Sequence, residues 1–222
     1  KERMITITRL SEALAAMGLD IDADRQTRLL DYLALLKKWN ATYNLTAIHE
    51  PERMLTHHLL DSLAILPEVG GARLLDVGSG AGLPGIPLAI VRPELSVTLI
   101  DASHKKAAFM QQAAIELKLA NVTAVHGRVE DLHTEAPFPQ IVSRAFSDLS
   151  DFVRLTRPLL AEDGEWLAMK WVEFGGGPWL ALARRDNPHL LRKPIVIGGS
   201  PDEHSAVTAC SEEATAAGIR IG

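Results

Sequence analysis

The feature that most constrains this chain is a glycine-rich turn after a short apolar segment. Residues 74–85 read Leu-Leu-Asp-Val-Gly-Ser-Gly-Ala-Gly-Leu-Pro-Gly, so the apolar run ends in Asp76 and four glycines follow. Glycine adopts positive φ without strain and lets a ligand approach the backbone closely. An apolar strand that leads through such a turn into a helix is typical of nucleotide sites in parallel α/β sheets.

The segment that follows the turn supports this interpretation. Residues 87–91 are predicted as a short apolar helix and residues 97–100 as a second buried strand, with Asp101 at its carboxyl end. In folds of this kind, an acid at the end of the second strand accepts hydrogen bonds from ribose hydroxyls. We therefore expect Asp101 to bind the ribose of a nucleotide-like ligand beside the glycines.

Two ligands fit this pattern, and a turn that merely connects strand and helix is a third explanation. Residues 80–85 satisfy the NAD pattern G-x-G-x-x-G, but its first glycine should directly follow the strand, and residues 76–79 come first. An acid followed by G-x-G-x-G is instead the arrangement of enzymes that bind S-adenosylmethionine (SAM). SAM carries two positive groups and no phosphate, so a carboxylate attracts it and repels a pyrophosphate. We favour SAM, with Asp76, Gly80 and Gly82 at its site.

The overall composition is that of an ordinary globular protein. The 222 residues are 47% hydrophobic and 23% charged, enough for one α/β domain with an extension. No apolar run approaches the ~20 residues that cross a bilayer, and no signal peptide is visible. Cys210 is the single cysteine, and His57, His58 and Asp61 lack a further metal ligand. We therefore expect a cytoplasmic protein without a membrane segment or a metal site.

Two patterns divide the chain. Residues 1–68 have helical spacing without strands, and helices are predicted at about residues 8–17, at about residues 22–40 and from Pro51 onward. From residue 69 to residue 222, strands and helices alternate, with strands predicted at 74–77, 97–100, 122–125, 141–142, 166–170 and 194–197. The fold class is therefore predicted as α/β, with a doubly wound, mostly parallel sheet and an N-terminal helical extension packed on it.

Candidate substrate contacts lie in a polar stretch between the second and third predicted helices. Residues 39–46 contain two aromatics and two asparagines, the side chains that stack on bases or hydrogen-bond to them. The same residue types also form ordinary connecting turns. Lys105 and Lys106, which follow Asp101, either bind phosphate or begin a solvated helix. Our candidates for substrate binding are Asn40, Tyr43, Asn44, Lys105, Lys106 and Lys170.

Five segments that include these residues occur together and in order. They are Trp39-Asn-x-x-Tyr-Asn-Leu-Thr46, His58-x-Leu-Asp-Ser-Leu63, Asp76-Val-Gly-x-Gly-x-Gly-x-Pro-Gly-Ile-Pro-Leu88, Arg128-Val-Glu130 and Ser143-Arg-Ala-Phe146. As a set they resemble the bacterial small-subunit ribosomal RNA methyltransferase G family, formerly called glucose-inhibited division protein B. The resemblance spans roughly residues 25–170, and the tail beyond it matches poorly.

The resemblance implies a class I SAM-dependent methyltransferase that modifies N7 of one guanine in 16S rRNA, free or within the small subunit. By position, the family's SAM contacts fall on Gly78, Leu83, Val129, Glu130 and Arg144. Three segments depart from the family pattern: the usual arginine before the histidine motif is His57, the usual Lys-Arg pair is Lys105-Lys106, and the usual Lys-Gly is Lys170-Trp171.

Guanine N7 carries a free lone pair at neutral pH, so the expected reaction needs placement of the guanine and no general base. Arg144 is then the candidate catalytic residue, in the role of holding a phosphate or the ligand. The net charge of −5 does not by itself indicate an RNA-binding protein. We therefore expect Arg144, Lys105, Lys106 and Lys170 to form a local positive rim on a monomer.

Overall fold

In a computed structural model, the structure describes residues 6–144, 149–169, 195–198 and 207–210. Within these ranges one seven-stranded sheet has the order β3-β2-β1-β4-β5-β6-β7. All neighbouring strands are parallel except β6 and β7, which are antiparallel. The strands are β1 (Arg73–Val77), β2 (Ser96–Asp101), β3 (Val122–His126), β4 (Phe138–Ser143), β5 (Leu160–Ala168), β6 (Ile195–Gly198) and β7 (Val207–Cys210). The prediction of a mostly parallel sheet is confirmed.

Helices cover both faces of this sheet. The N-terminal helices are α1 (Ile7–Ala16), α2 (Ala23–Tyr43), α3 (Pro51–Met54) and α4 (Asp61–Ala64), and a π-helical turn (Leu55–Leu60) joins the last two. The helices between strands are α5 (Gly85–Val91), α6 (His104–Glu116) and α7 (Leu149–Thr156). Short 3-10 turns occur at Leu66–Glu68, Val129–Asp131 and Arg157–Leu159. The sheet is therefore doubly wound, as the alternating pattern predicted.

Two apolar cores lie on opposite faces of the sheet. The larger core contains buried side chains of the N-terminal helices, such as Leu29 and Leu59, together with Ile90 of α5 and Phe109 of α6. The smaller core contains Phe152 of α7 with inward-facing residues of the strands. Because the larger core is continuous across residue 68, the extension and the sheet pack as one unit. The boundary predicted at residue 68 therefore separates a helical segment from an alternating one, and the two segments share one core.

Three predicted boundaries differ from the structure. The second helix was predicted to end near Asn40, but α2 continues to Tyr43 and stops at Asn44, which has a left-handed φ of 48°. Residues 39–43 therefore lie on a helix, not in a connecting turn. Strand β4 begins at Phe138 and β5 at Leu160, earlier than predicted, because these two residues pair ahead of an irregularity in register, after which Gln140 pairs with Glu165. The strand predicted at residues 194–197 is confirmed as β6, but it is not at the edge of the sheet as predicted, because β7 pairs with it on the far side from β5.

A glycine at the start of α5 allows the helix to approach the sheet. A Cβ atom on Gly85 would lie 2.2 Å from Leu99 Cδ2 and 2.8 Å from Asp76 Oδ2. We expect Gly85→Ala to lower the free energy of unfolding by about 1–3 kcal/mol, the usual cost of overpacking a core. Urea denaturation measures this loss. Gly127→Ala is the matched control because nothing lies within 4 Å of its Cβ position; equal losses in both variants would contradict this account.

Candidate functional site

A cavity of about 300 Å³ lies at the carboxyl edge of the sheet. Its lining comes from the ends of β1 and β2, from the segment after β3 and from Leu155 of α7, and it includes Gly78, Asp101, Val129 and Glu130. In open parallel sheets this edge is where ligands bind, because the strand order reverses there. The sheet order places that reversal between β1 and β4, next to the glycine turn. The cavity therefore lies where the sequence predicted a cofactor site.

The glycine turn has the backbone conformation that its sequence predicted. Gly78, Gly80 and Gly82 have φ values of 67°, 60° and 83°, which side-chain-bearing residues rarely adopt. The amides of Gly78 and Ser79 donate to the carbonyl oxygen of Ile100 at 2.9 and 3.2 Å. The turn is thus fastened to the end of β2. Ile86 lies against Gly82, where a Cβ would be 2.3 Å from its Cδ1.

Asp101 joins the turn to the cavity. Its Oδ2 accepts a hydrogen bond from the Gly80 amide at 2.9 Å, and its Oδ1 accepts one from the Ser103 amide at 2.8 Å. Each carboxylate oxygen has two lone pairs, so Asp101 retains acceptor capacity toward the cavity that it lines. This arrangement is compatible with its predicted contact with two ribose hydroxyls.

Asp76 has a different position from the one predicted. Its side chain is fully buried and does not line the cavity. Oδ2 accepts a hydrogen bond from the Gly85 amide at 2.9 Å, and Oδ1 has no hydrogen-bond partner. Burial raises the pKa of Asp76 to about 8. The expected direct attraction between its charge and the ligand is therefore replaced by a structural role, in which Asp76 holds the start of α5.

Two predicted contacts lie in the 3-10 turn that follows β3. Val129 is buried and Glu130 is exposed, and both line the cavity opposite the glycine turn. An apolar surface next to a polar acceptor is suited to the face and edge of an adenine ring. Leu83 lies in the larger core and is not part of this wall. Its assignment as a cofactor contact stays a prediction.

Arg144 follows β4 and is attached to the N-terminal helices. Its Nη1 donates to Asp61 Oδ2 at 2.7 Å and to the carbonyl oxygen of His57 at 3.1 Å. Asp61 is buried, and this burial raises its pKa even though the charge of Arg144 opposes the rise. The pairing of Asp61 with Arg144 was not apparent from the sequence. The His58-x-Leu-Asp-Ser motif was the signal that pointed to this residue.

Asn40 has an internal role in place of the predicted contact with bases. It is 3% exposed, its Oδ1 accepts from the Thr46 amide at 2.9 Å, and its Nδ2 lies 3.1 Å from His49 Nδ1. Thr46 Oγ1 in turn lies 3.0 Å from Nε2 of the buried His58. Burial lowers the pKa of His58 to about 4. These contacts hold the segment after α2 against the π-helical turn.

Four of the other substrate candidates lie near one another on the surface. Tyr43 is 44% exposed, and its ring centroid lies 5.1 Å from that of Trp39. Lys105 Nζ donates to the carbonyl oxygen of Tyr43 at 2.9 Å. Asn44 follows Tyr43 and is exposed, and Lys106 follows Lys105 and is half-buried. Lys170 lies outside the described residues. None of the described helices combines the length and apolarity needed to cross a membrane.

A doubly wound parallel sheet with a glycine turn after β1 and an acid at the end of β2 is the architecture of α/β proteins that take a nucleotide-like ligand at this edge. The sequence model of a family described as rRNA small subunit methyltransferase G matches residues 25–173. The chain belongs to this family, and the predicted resemblance is confirmed.

Individual proteins and a solved structure are also similar to this chain. Proteins named ribosomal RNA small subunit methyltransferase G from Methylobacillus flagellatus and Chromohalobacter salexigens are each 59% identical over 162 residues, or 73% of this chain and 79% and 77% of theirs. A crystal structure of a SAM-dependent methyltransferase from Aquifex aeolicus has a TM-score of 0.47 at 22% identity, over 61% of this chain and 81% of that chain.

The buried carboxyl of Asp76 makes a pH-dependent contribution to stability. Because its pKa is raised to about 8, the folded protein keeps a proton that the unfolded chain releases near pH 4. The stabilisation of the folded state that comes from this carboxyl is fully present below pH 4 and is lost as the pH rises toward 8. Asp76→Asn keeps an oxygen acceptor for Gly85 but has no such proton. We expect the unfolding free energy of the wild type to fall relative to the variant by at most roughly 1.4 kcal/mol per pH unit over this range.

Denaturation of both proteins at each pH measures this difference, and other titrating groups such as His58 cancel because both proteins contain them. A difference that stays constant between pH 4 and pH 8 would contradict the account.

Proposed function

We propose that this protein transfers the methyl group of SAM to N7 of a guanine in bacterial 16S rRNA. Family membership supports the rRNA substrate. The observation that carries the cofactor assignment is the cavity at the carboxyl edge, where the glycine turn, Asp101 and Glu130 meet. Asp101 and Glu130 offer acceptors for the ribose hydroxyls and the adenine edge of a nucleoside ligand, and membership of a methyltransferase family favours SAM over NAD as that ligand.

The residues at the cavity have distinct roles in binding SAM, whose sulfonium supplies an electrophilic methyl group. Asp101 accepts the ribose hydroxyls, and the turn at Gly78–Gly82 provides close backbone contact. Val129 and Glu130 form the adenine wall. The fit rests on the positive φ of the glycines and on an open space of about 300 Å³ beside them.

Methyl transfer to guanine N7 requires that the guanine be correctly placed, and it needs no proton transfer. N7 has a free lone pair at neutral pH, so the protein's task is to align it with the methyl group and exclude water. Positive charge develops on the guanine ring during transfer, and an added free cation would oppose this. Arg144 is paired with Asp61 at 2.7 Å, so its charge is offset. We assign Arg144 to the catalytic centre as a residue that holds the ligand or a phosphate.

The rRNA contacts are proposed for the surface formed by Tyr43, Asn44, Lys105 and Lys106, which we call the α2–α6 surface. The exposed tyrosine ring offers a stacking face, and the lysines offer charges for phosphates. Because α6 begins three residues after Asp101, this surface adjoins the cofactor edge. A local basic surface of this kind is compatible with a net charge of −5, since charges act within about 10 Å at moderate salt. We further propose a monomer that acts on rRNA in the cytoplasm.

Ligand binding distinguishes the proposed function from two alternatives. An NAD-dependent oxidoreductase would gain thermal stability from NADH and none from SAM. A non-catalytic RNA-binding protein would gain none from either. Calorimetric titrations and melting curves with SAM and NADH, side by side, test the proposal. Stabilisation by NADH alone would reject it.

The ribose contact yields a prediction about affinity. Asp101→Ala removes a charged acceptor, and hydrogen bonds to charged groups are worth about 1.5–3 kcal/mol. We expect the dissociation constant of SAM to rise at least about tenfold in calorimetry. Asp131→Ala is the matched control, because Asp131 is exposed in the same region and does not line the cavity. An unchanged constant in Asp101→Ala would reject the ribose assignment.

The α2–α6 surface yields a prediction about the RNA. Lys105→Glu, made together with Lys106→Glu, should lower the rate of rRNA methylation severalfold at low salt while the dissociation constant of SAM stays unchanged. Lys118→Glu provides a control at the opposite end of α6, where the exposed lysine lies away from the cofactor edge. Labelled SAM and rRNA measure the rates. Equal losses in the variant and the control would show that overall charge matters and that this surface does not.

A further inference from the structure

Tyr32 connects the N-terminal helices to the glycine turn. It lies on α2, is completely buried, and its hydroxyl donates to the carbonyl oxygen of Ala81 at 2.7 Å. Ala81 is itself only 4% exposed. The two residues are 49 positions apart in the chain. A residue outside the strand–turn–helix motif therefore contacts the backbone in the middle of that motif.

The contact completes a set of three side-chain anchors along the turn. Asp101 accepts from the Gly80 amide at 2.9 Å, and Asp76 accepts from the Gly85 amide at 2.9 Å. Tyr32 holds Ala81, which lies between those two glycines. The first two anchors fix amides and come from the strands. Tyr32 fixes a carbonyl and comes from the helical extension.

The ring of Tyr32 is itself held in place. Its centroid lies 6.5 Å from that of Phe109, which also contacts Trp39 edge to face at 5.6 Å. Burial raises the pKa of Tyr32 far above its usual range, so the hydroxyl stays protonated and remains a donor. A rigid, neutral donor on a packed helix is suited to fixing a turn whose glycines alone would leave it mobile.

We propose that Tyr32 is a positioning residue for the cofactor: it holds the Ala81 carbonyl so that the turn keeps the shape that SAM requires. This inference rests on the proposed function. Tyr32 does not line the cavity. The N-terminal extension then sets cofactor affinity through one hydrogen bond. Without it, the turn samples other conformations, and only the fraction in the competent one binds.

Tyr32→Phe tests the proposal, because it removes the hydroxyl and keeps the ring packing. We expect the dissociation constant and the KM for SAM to rise roughly three- to tenfold, the effect of one neutral hydrogen bond. The KM for rRNA should not change. Thr156→Val is the matched control. It removes two buried hydrogen bonds in the core on the other face of the sheet: Thr156 Oγ1 accepts from Trp166 Nε1 at 2.9 Å and donates to the carbonyl oxygen of Phe152 at 2.6 Å. We expect a loss of melting temperature in the control at least as large as in Tyr32→Phe, with unchanged SAM affinity.

Three results are decisive. Weaker SAM binding in Tyr32→Phe with normal binding in Thr156→Val supports the positioning role. Unchanged SAM affinity in Tyr32→Phe, or equal losses in both variants, overturns it. If Tyr32→Phe does not fold, 4-aminophenylalanine at position 32 keeps the ring and donates a weaker hydrogen bond, so SAM should bind more weakly than in the wild type; unchanged binding then overturns the role. Absence of SAM binding in the wild type rejects the proposed function itself, which the same titration shows.

Discussion

The structure depends on a turn of backbone that must be both unusual in conformation and fixed in place. Three glycines with positive φ allow the chain to leave β1 and enter α5 beside the cavity. Conformational freedom of that kind is costly to order, and glycine loses the most on folding. Asp76, Asp101 and Tyr32 offset this cost by hydrogen-bonding to backbone groups of the turn. The proposed cofactor site is therefore a backbone surface whose conformation is fixed by side-chain hydrogen bonds.

The same principle explains how the helical extension contributes to the proposed site. The Asp61–Arg144 pair joins the extension to the end of β4, as Tyr32 joins it to the turn. Burying such a pair has a large desolvation cost and seldom adds net stability. The raised pKa of Asp61 reflects that cost. The geometry instead specifies where the Arg144 guanidinium lies, next to the cofactor edge of the sheet.

Sequence patterns predicted what is local. The glycine turn, Asp101 and most strand positions follow from apolar periodicity and from the conformations that glycine allows. The sequence did not reveal contacts between distant positions: Tyr32 with Ala81, and Asp61 with Arg144, are 49 and 83 residues apart. It also misplaced two polar residues. Asn40 was expected to contact bases because its segment is rich in aromatics and asparagines, and Asp76 was expected to attract the ligand because it precedes the glycine turn. The residue types do not reveal that both side chains point into the protein and bind backbone amides there.

The central claim is that this edge of the sheet transfers a methyl group to guanine N7 in small-subunit rRNA. The most direct measurement supplies labelled SAM with naked 16S rRNA and, separately, with small ribosomal subunits. Methylation at N7 labilises the imidazole ring, so reduction and strand cleavage map the labelled base. The account predicts label at a single guanine in at least one of these substrates. Label at another atom or base, or on neither RNA while SAM binding is intact, would contradict it.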